Sequence, residues 1–95
     1  MDNQNITIEK NFELIDYEFA QLNKSLEKIY SKSPSNSQIK INIDSKLQVY
    51  KAKLIIKSPF ITIKVSGLGD SVESLMDYVS KKLKRESPTG KNLFF

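Results

Sequence analysis

The chain has 95 residues and a net charge of +4, a length that fits one domain with one small core. It contains no cysteine and no histidine, which excludes disulfides, thiolate zinc sites, cysteine nucleophiles and imidazole bases. The remaining reactive side chains are not grouped in a pattern typical of catalysis. We therefore expect no enzyme activity, no cofactor, no bound metal and no small-molecule substrate.

No apolar run approaches the ~18 residues that a membrane span requires, and the polar segment Met1–Asn5 lacks the features of a signal peptide. A cytoplasmic protein without a membrane partner is the resulting expectation. The charge is divided unevenly along the chain. Residues 1–30 hold three lysines against six acids, whereas residues 31–95 hold twelve basic against five acidic groups. This asymmetry points to an anionic partner such as nucleic acid, or equally to lysines that only keep a sheet soluble.

In chain order, β-branched residues from Asn5 to Glu9 weakly predict a first strand. A helical period then predicts a long helix from Asn11 to Lys32, with Asn11 as its N-cap and Ser33-Pro34 at its end. Apolar residues recur at spacings of three and four and form its expected buried stripe: Phe12, Ile15, Phe19, Leu22, Leu26 and Ile29.

Strict alternation predicts three strands between Ile39 and Val65. We expect turns at Asp44-Ser45-Lys46 and at Ser58-Pro59. The strands form a meander with one apolar face, and lysines occupy the other face: Lys40, Lys51, Lys53, Lys57 and Lys64.

Gly67-Leu68-Gly69 reads as a strand-to-helix turn, because it lacks the further glycine of a dinucleotide site. A second amphipathic helix should begin at Asp70 or Ser71 and bury a stripe of Val72, Leu75, Met76, Val79 and Leu83. The chain is therefore predicted to be an α+β two-layer sandwich of order β-α-β-β-β-α, with both helices on one face of a small sheet. Residues 1–87 form this domain, and residues 88–95, which end in Leu93-Phe94-Phe95, form a short tail.

The strongest functional signal is a cluster of cations at the end of the second helix: Lys81, Lys82, Lys84 and Arg85. Lysines reach phosphates as flexible point charges, and an arginine can grip a phosphate with two parallel hydrogen bonds. The alternative, a favourable interaction with the helix dipole, carries equal weight at this point.

Lys24, Lys28 and Lys32 form a stripe on the first helix that could share a surface with that cluster. Taken alone, this stripe is better explained as a solvated helix face. The lysines on the sheet are a competing patch. Phe60 is the only aromatic residue expected beside them, so we do not expect base-specific reading of single strands.

The segment from Gly69 to Arg85 resembles the last helix of the bacterial ribosome hibernation promoting factor family, also called the sigma-54 modulation family. The family pattern falls on Met76-Asp77 and on Lys82-Leu83-Lys84-Arg85, and Leu26–Tyr30 resembles the end of its first helix. Glu73 departs from the pattern, because the family usually has an aromatic residue there.

The resemblance implies a translation inhibitor that binds the small ribosomal subunit of resting cells, where its basic helices lie against 16S ribosomal RNA in the channel for mRNA and tRNAs. The implied RNA-binding residues are Lys28, Lys82 and Arg85, and Lys24, Lys81 and Lys84 join them as candidates. The chain lacks the C-terminal dimerisation domain of long family members, so we do not expect it to pair ribosomes in their way. We expect a monomer. The open alternative is a protein-interaction module of the same fold that uses the acidic first helix or the Leu93-Phe94-Phe95 tail.

Overall fold

The computed structural model describes residues 5–59 and 61–85, which form four strands and two helices. The elements are β1 Ile6–Lys10, α1 Asp16–Lys32, β2 Gln38–Lys46, β3 Val49–Lys57, β4 Thr62–Gly69 and α2 Val72–Arg85. This arrangement confirms the predicted α+β class and element order, including the weakly signalled first strand. The boundary at residue 87 and the tail of residues 88–95 lie outside the described residues and remain predictions.

The strands form one sheet in the order β1-β2-β3-β4. β1 is parallel to β2 because α1 carries the chain back across the sheet, and the later strands form an antiparallel meander. Alternation places one set of side chains against the helices and the other set, including the lysines, in solvent. The sheet therefore has a buried inner face and a basic outer face, as the sequence predicts.

The core lies between the sheet and the helices. Its buried side chains come from the inner face of the strands, including Ile41, Leu54 and Val65, and from one stripe of each helix, including Leu26 and Val79. Both helices bury their stripes in the same cluster, so both cover the same face of the sheet. Within the described ranges, neither helix is long and apolar enough to cross a membrane.

The first helix begins five residues later than the sequence predicts. Asn11 is not its N-cap: the Asn11 side-chain oxygen accepts a hydrogen bond from the Ser45 amide at 3.0 Å. Ile15 is the residue before the helix, and the Glu18 carboxylate accepts a hydrogen bond from the Ile15 N–H at 3.3 Å. The predicted stripe is correspondingly shorter, since Ile15 is 64% exposed and Phe19 is 43% exposed.

The hairpin between β2 and β3 also differs from the prediction. Strand β2 continues through the expected turn at residues 44–46, and the chain reverses at Leu47 and Gln48. Both residues have positive φ, 53° and 64°, which is the backbone of a two-residue hairpin turn with primed geometry. Neither residue is the glycine or asparagine that this geometry favours, so the sequence carried no signal for it.

The predicted turn at residues 67–69 is instead the end of strand β4. Gly67 and Gly69 lie under α2, where a side chain would collide with the helix. A Cβ at Gly67 would be 2.7 Å from the Tyr78 ring, and a Cβ at Gly69 would be 2.7 Å from the Leu75 backbone nitrogen. The glycines therefore allow close helix–sheet packing. The helix begins as predicted, because the Ser71 hydroxyl accepts a hydrogen bond from the Ser74 amide at 3.0 Å.

Candidate nucleic-acid interface

A groove runs between the exposed sides of the two helices. Its floor is apolar and includes Ile29 and Met76, and cationic side chains from both helices line its walls: Lys24, Lys28, Lys32, Lys81 and Lys84. The helices therefore bring together the α1 stripe and part of the α2 cluster. We call these lysines the helix-groove lysines.

Acidic side chains occupy the other part of this groove. Glu73 lies in the first turn of α2, where its carboxylate accepts a hydrogen bond from the Gln21 amide of α1 at 3.4 Å. This contact places the early turns of the two helices side by side. Since Glu73 and Asp77 precede the lysines of α2 in the chain, the charge along the groove changes from acidic to basic towards the helix ends.

Asp77 partly neutralises one of the cations. Its carboxylate lies 3.2 Å from the Lys81 ammonium, and both side chains are mostly exposed. An exposed pair of this kind contributes about 0–1 kcal/mol, so a phosphate could replace Asp77 as the partner of Lys81 at little cost. Lys24, Lys28, Lys32 and Lys84 have no ion-pair partner among the residues that the structure describes.

Lys82 extends away from the helix-groove lysines. Its ammonium lies 5.8 Å from the centre of the Tyr78 ring and donates a hydrogen bond to the Ser66 carbonyl at 3.2 Å. Ser66 belongs to β4, the edge strand, so Lys82 crosses the free edge of the sheet. There it lines a second hollow together with Lys53 and Lys64 of the outer face.

The sequence cluster is thus divided between two surfaces. Lys81 and Lys84 line the helix groove, and Lys82 lines the hollow at the sheet edge. Arg85 is exposed at the end of α2 and lines neither of them. Phe60, the aromatic residue considered for base stacking, lies outside the described residues.

Along residues 5–59 and 61–85, no group of three acidic side chains is arranged to hold a metal ion. The surfaces with a distinctive character are cationic, and their donors are primary ammonium groups that suit phosphate oxygens.

Solved structures of other proteins share this four-stranded α+β sandwich. One is a ribosomal subunit interface protein from Coxiella burnetii, with a TM-score of 0.72 and 19% identity over 90% of this chain and 96% of that chain. Another is the Protein Y N-terminal domain from Thermus thermophilus, with a TM-score of 0.59 and 15% identity over 84% and 93%.

No protein-family model matches the chain. No curated protein matches it by sequence either. The structural likeness therefore concerns the fold, and it agrees with the fold that the resemblance in the last helix implies.

Proposed function

We propose that this protein is a cytoplasmic, monomeric translation inhibitor that binds 16S ribosomal RNA of the small ribosomal subunit and acts by occupancy, not by turnover. The observation that carries the proposal is the convergence of the helix-groove lysines from two separate helices in one groove. The fold of a ribosomal subunit interface protein and the family-like end of α2 support the same assignment.

The groove is suited to a nucleic-acid backbone for electrostatic reasons. Lys32 and Lys84 lie in the last turns of their helices, where cations interact favourably with the helix dipole and remain solvated. A phosphate backbone lying along the groove would contact lysines from both helices and release its condensed counterions. Lysine contacts position such a backbone without reading bases, so structured ribosomal RNA is a more suitable partner than a specific single strand.

Inhibition would follow from steric exclusion alone. A folded domain bound in the channel for mRNA and tRNAs excludes both ligands, and release restores translation without any chemical step. This mode of action requires affinity and a defined position on the subunit, and both can come from phosphate contacts. It would suit a stress response, in which ribosomes are stored and later reused.

The salt dependence of binding to purified small ribosomal subunits tests the proposal. With about five lysine–phosphate contacts, raising salt from about 50 to 200 mM should lower the affinity by roughly 10²–10³-fold in co-sedimentation. Binding that does not change with salt, or no binding to the subunit at the lower salt concentration, would contradict it.

A protein-interaction module is the second candidate, and exposed apolar side chains at the start of α1 favour it. Ile15 is 64%, Tyr17 65% and Phe19 43% exposed, and they alternate with the acids Asp16 and Glu18. A partner retained in a pull-down after RNase treatment, and lost in a Tyr17→Ala variant, would support this role. The Leu93-Phe94-Phe95 tail considered with it lies outside the described residues.

A further inference from the structure

The outer face of the sheet carries a second concentration of positive charge, on the side of the molecule opposite the helix groove. Lys53 and Lys64 lie on adjacent strands as diagonal neighbours, because Lys53 pairs with Ser66 and Lys64 pairs with Ile55. Lys82 reaches the same hollow from α2, and its ammonium is held by the Ser66 carbonyl at 3.2 Å. Three lysine side chains therefore line one hollow. We call Lys53, Lys64 and Lys82 the sheet-edge lysines.

These cations lack the acidic partners that other lysines of the same face have. Lys40 lies 3.4 Å from Glu9, and Lys51 is directly opposite Asp44 in the strand register. Among the described residues, no carboxylate pairs with any of the sheet-edge lysines. Like charges on neighbouring strands repel each other, so the free protein gains from an anion that enters the hollow.

Protection of the sheet edge is an alternative explanation, since lysines discourage edge strands from pairing with other chains. It can account for Lys64 and Lys82, which lie on or across the edge strand β4. It does not account for Lys53, because β3 is hydrogen bonded on both sides and has no free edge. Lys57 of β3, beside Thr62, adds a further cation that has no ion-pair partner within the described part of the chain.

We infer that the sheet-edge lysines form a second phosphate-contacting surface, which holds a second segment of RNA while the helix groove holds the first. This inference rests on the proposed function and specifies how the protein binds. The two surfaces belong to opposite layers, so one straight RNA segment cannot contact both. The described strands present no aromatic side chain on their outer face, and contact there would be with the phosphate backbone, not with bases.

The test compares variants that lose equal charge, using purified bacterial small ribosomal subunits as the probe. The double variant Lys53→Gln/Lys64→Gln removes two sheet-edge lysines. Its matched control, Lys10→Gln/Lys46→Gln, removes two exposed lysines that line neither surface. Thermal unfolding should leave the sheet variant as stable as the parent or more so, because repulsion between neighbouring strands is relieved.

We expect the sheet variant to lose roughly 10–60-fold in affinity at about 0.1 M salt, and the slope of log affinity against log salt to fall by about 1.4–1.8. The control should change much less, and a Lys53→Arg/Lys64→Arg variant should retain the parental affinity because it keeps both charges.

Different outcomes separate this inference from the proposed function. If the sheet variant binds subunits as well as its control while the parent shows salt-dependent binding, the inference is overturned and the proposed function stands. If the parent does not bind subunits, both fail. If the substitutions abolish binding to phosphatidylserine-containing vesicles but not to subunits, the surface contacts a membrane and the RNA assignment is wrong.

Discussion

Gly69 shows at the scale of one residue how helix and sheet are brought together. Its missing side chain leaves room for the backbone of α2, which would otherwise be 2.7 Å from a Cβ atom. A backbone atom in a packed helix cannot move aside without displacing the whole helix. At Gly67 the nearest atom belongs to the Tyr78 ring, which is 43% exposed and can rotate away.

We predict that Gly69→Ala lowers the free energy of unfolding by about 1–3 kcal/mol, because the new methyl group overpacks the α2–β4 contact. Gly67→Ala serves as the comparison and should cost less, since a side chain can give way there. Urea unfolding of both variants measures the difference. Equal stability of the parent and Gly69→Ala would show that the contact is less restrictive than the geometry indicates.

The hairpin residues Leu47 and Gln48 have a backbone conformation that L-residues seldom adopt. A left-handed conformation costs ~1–2 kcal/mol for a residue with a Cβ atom, and Leu47 recovers little by burial because it is 88% exposed. The turn is imposed by the pairing of β2 with β3 on either side of it.

Replacing Gln48 with Gly should therefore stabilise the protein by about 0.5–1 kcal/mol, as the left-handed strain is removed. The same substitution at Gln38, an exposed residue of β2 in an extended conformation, should destabilise it instead. Thermal or urea unfolding of the two variants measures whether each substitution stabilises or destabilises the protein. A destabilising Gln48→Gly would mean that the turn conformation is not strained.

At the scale of elements, the core forms because the two helices cover one face of the sheet and bury its apolar side chains. Leu26 of α1 is fully buried in the cluster that both helices form with the sheet. Leu26→Ala should lower the free energy of unfolding by about 2–5 kcal/mol, from lost apolar burial and an incompletely filled cavity. The exposed Leu47→Ala should change it by less than about 0.5 kcal/mol.

Urea unfolding with coincident fluorescence and circular dichroism would compare these two leucine variants. A loss below about 1 kcal/mol for Leu26→Ala would contradict the assignment of α1 to the core.

The elements that the sequence predicts well are those with long, clean periods. Ile39, Ile41 and Ile43 alternate with polar residues, and all three are buried. The stripe of α2 from Val72 to Leu83 is buried in full. In these segments the residues that the local period selects are the ones that tertiary packing buries. The buried face can therefore be predicted from the sequence.

The start of α1 could not be predicted, because non-helical residues fit the helical period by coincidence. Phe12 is in phase with the buried stripe, yet it packs against Tyr50 with ring centres 5.3 Å apart. Asn11 has the chemistry of an N-cap but caps nothing, since its side chain binds the Ser45 amide of β2. Both contacts join segments distant in sequence, and local periodicity does not report such contacts.

The helical period places Lys82 at the edge of the outer side of α2, but the surface that its side chain reaches could not be predicted from the sequence. Lys81, Lys82 and Lys84 are near neighbours in the chain, but only Lys81 and Lys84 line the helix groove. Lys82 projects about 100° around the helix axis from Lys81 and so reaches the edge of the sheet. The direction that a helical residue faces depends on how the helix sits on the sheet, which the pattern alone does not fix.

Considered as a whole, the molecule has lysine-rich surfaces on two opposite faces and an apolar interior between them. The helix groove collects lysines from both helices, and the outer face of the sheet collects lysines from β3 and β4. None of the described acids among the first thirty residues lines either surface, whereas Glu73 and Asp77 of α2 line one part of the helix groove. This distribution explains how a modest net charge can accompany strong local fields.

The measurement that tests the central claim most directly is the affinity of a groove variant, Lys28→Gln/Lys84→Gln, for purified small ribosomal subunits at fixed salt. The matched control is Lys10→Gln/Lys46→Gln, which has the same net charge. We predict that the groove variant binds roughly 10–60-fold more weakly than the parent at about 0.1 M salt, while the control stays close to the parent. Equal affinities of the groove variant and the control, with both folded, would contradict the assignment of the helix groove as the RNA-binding surface.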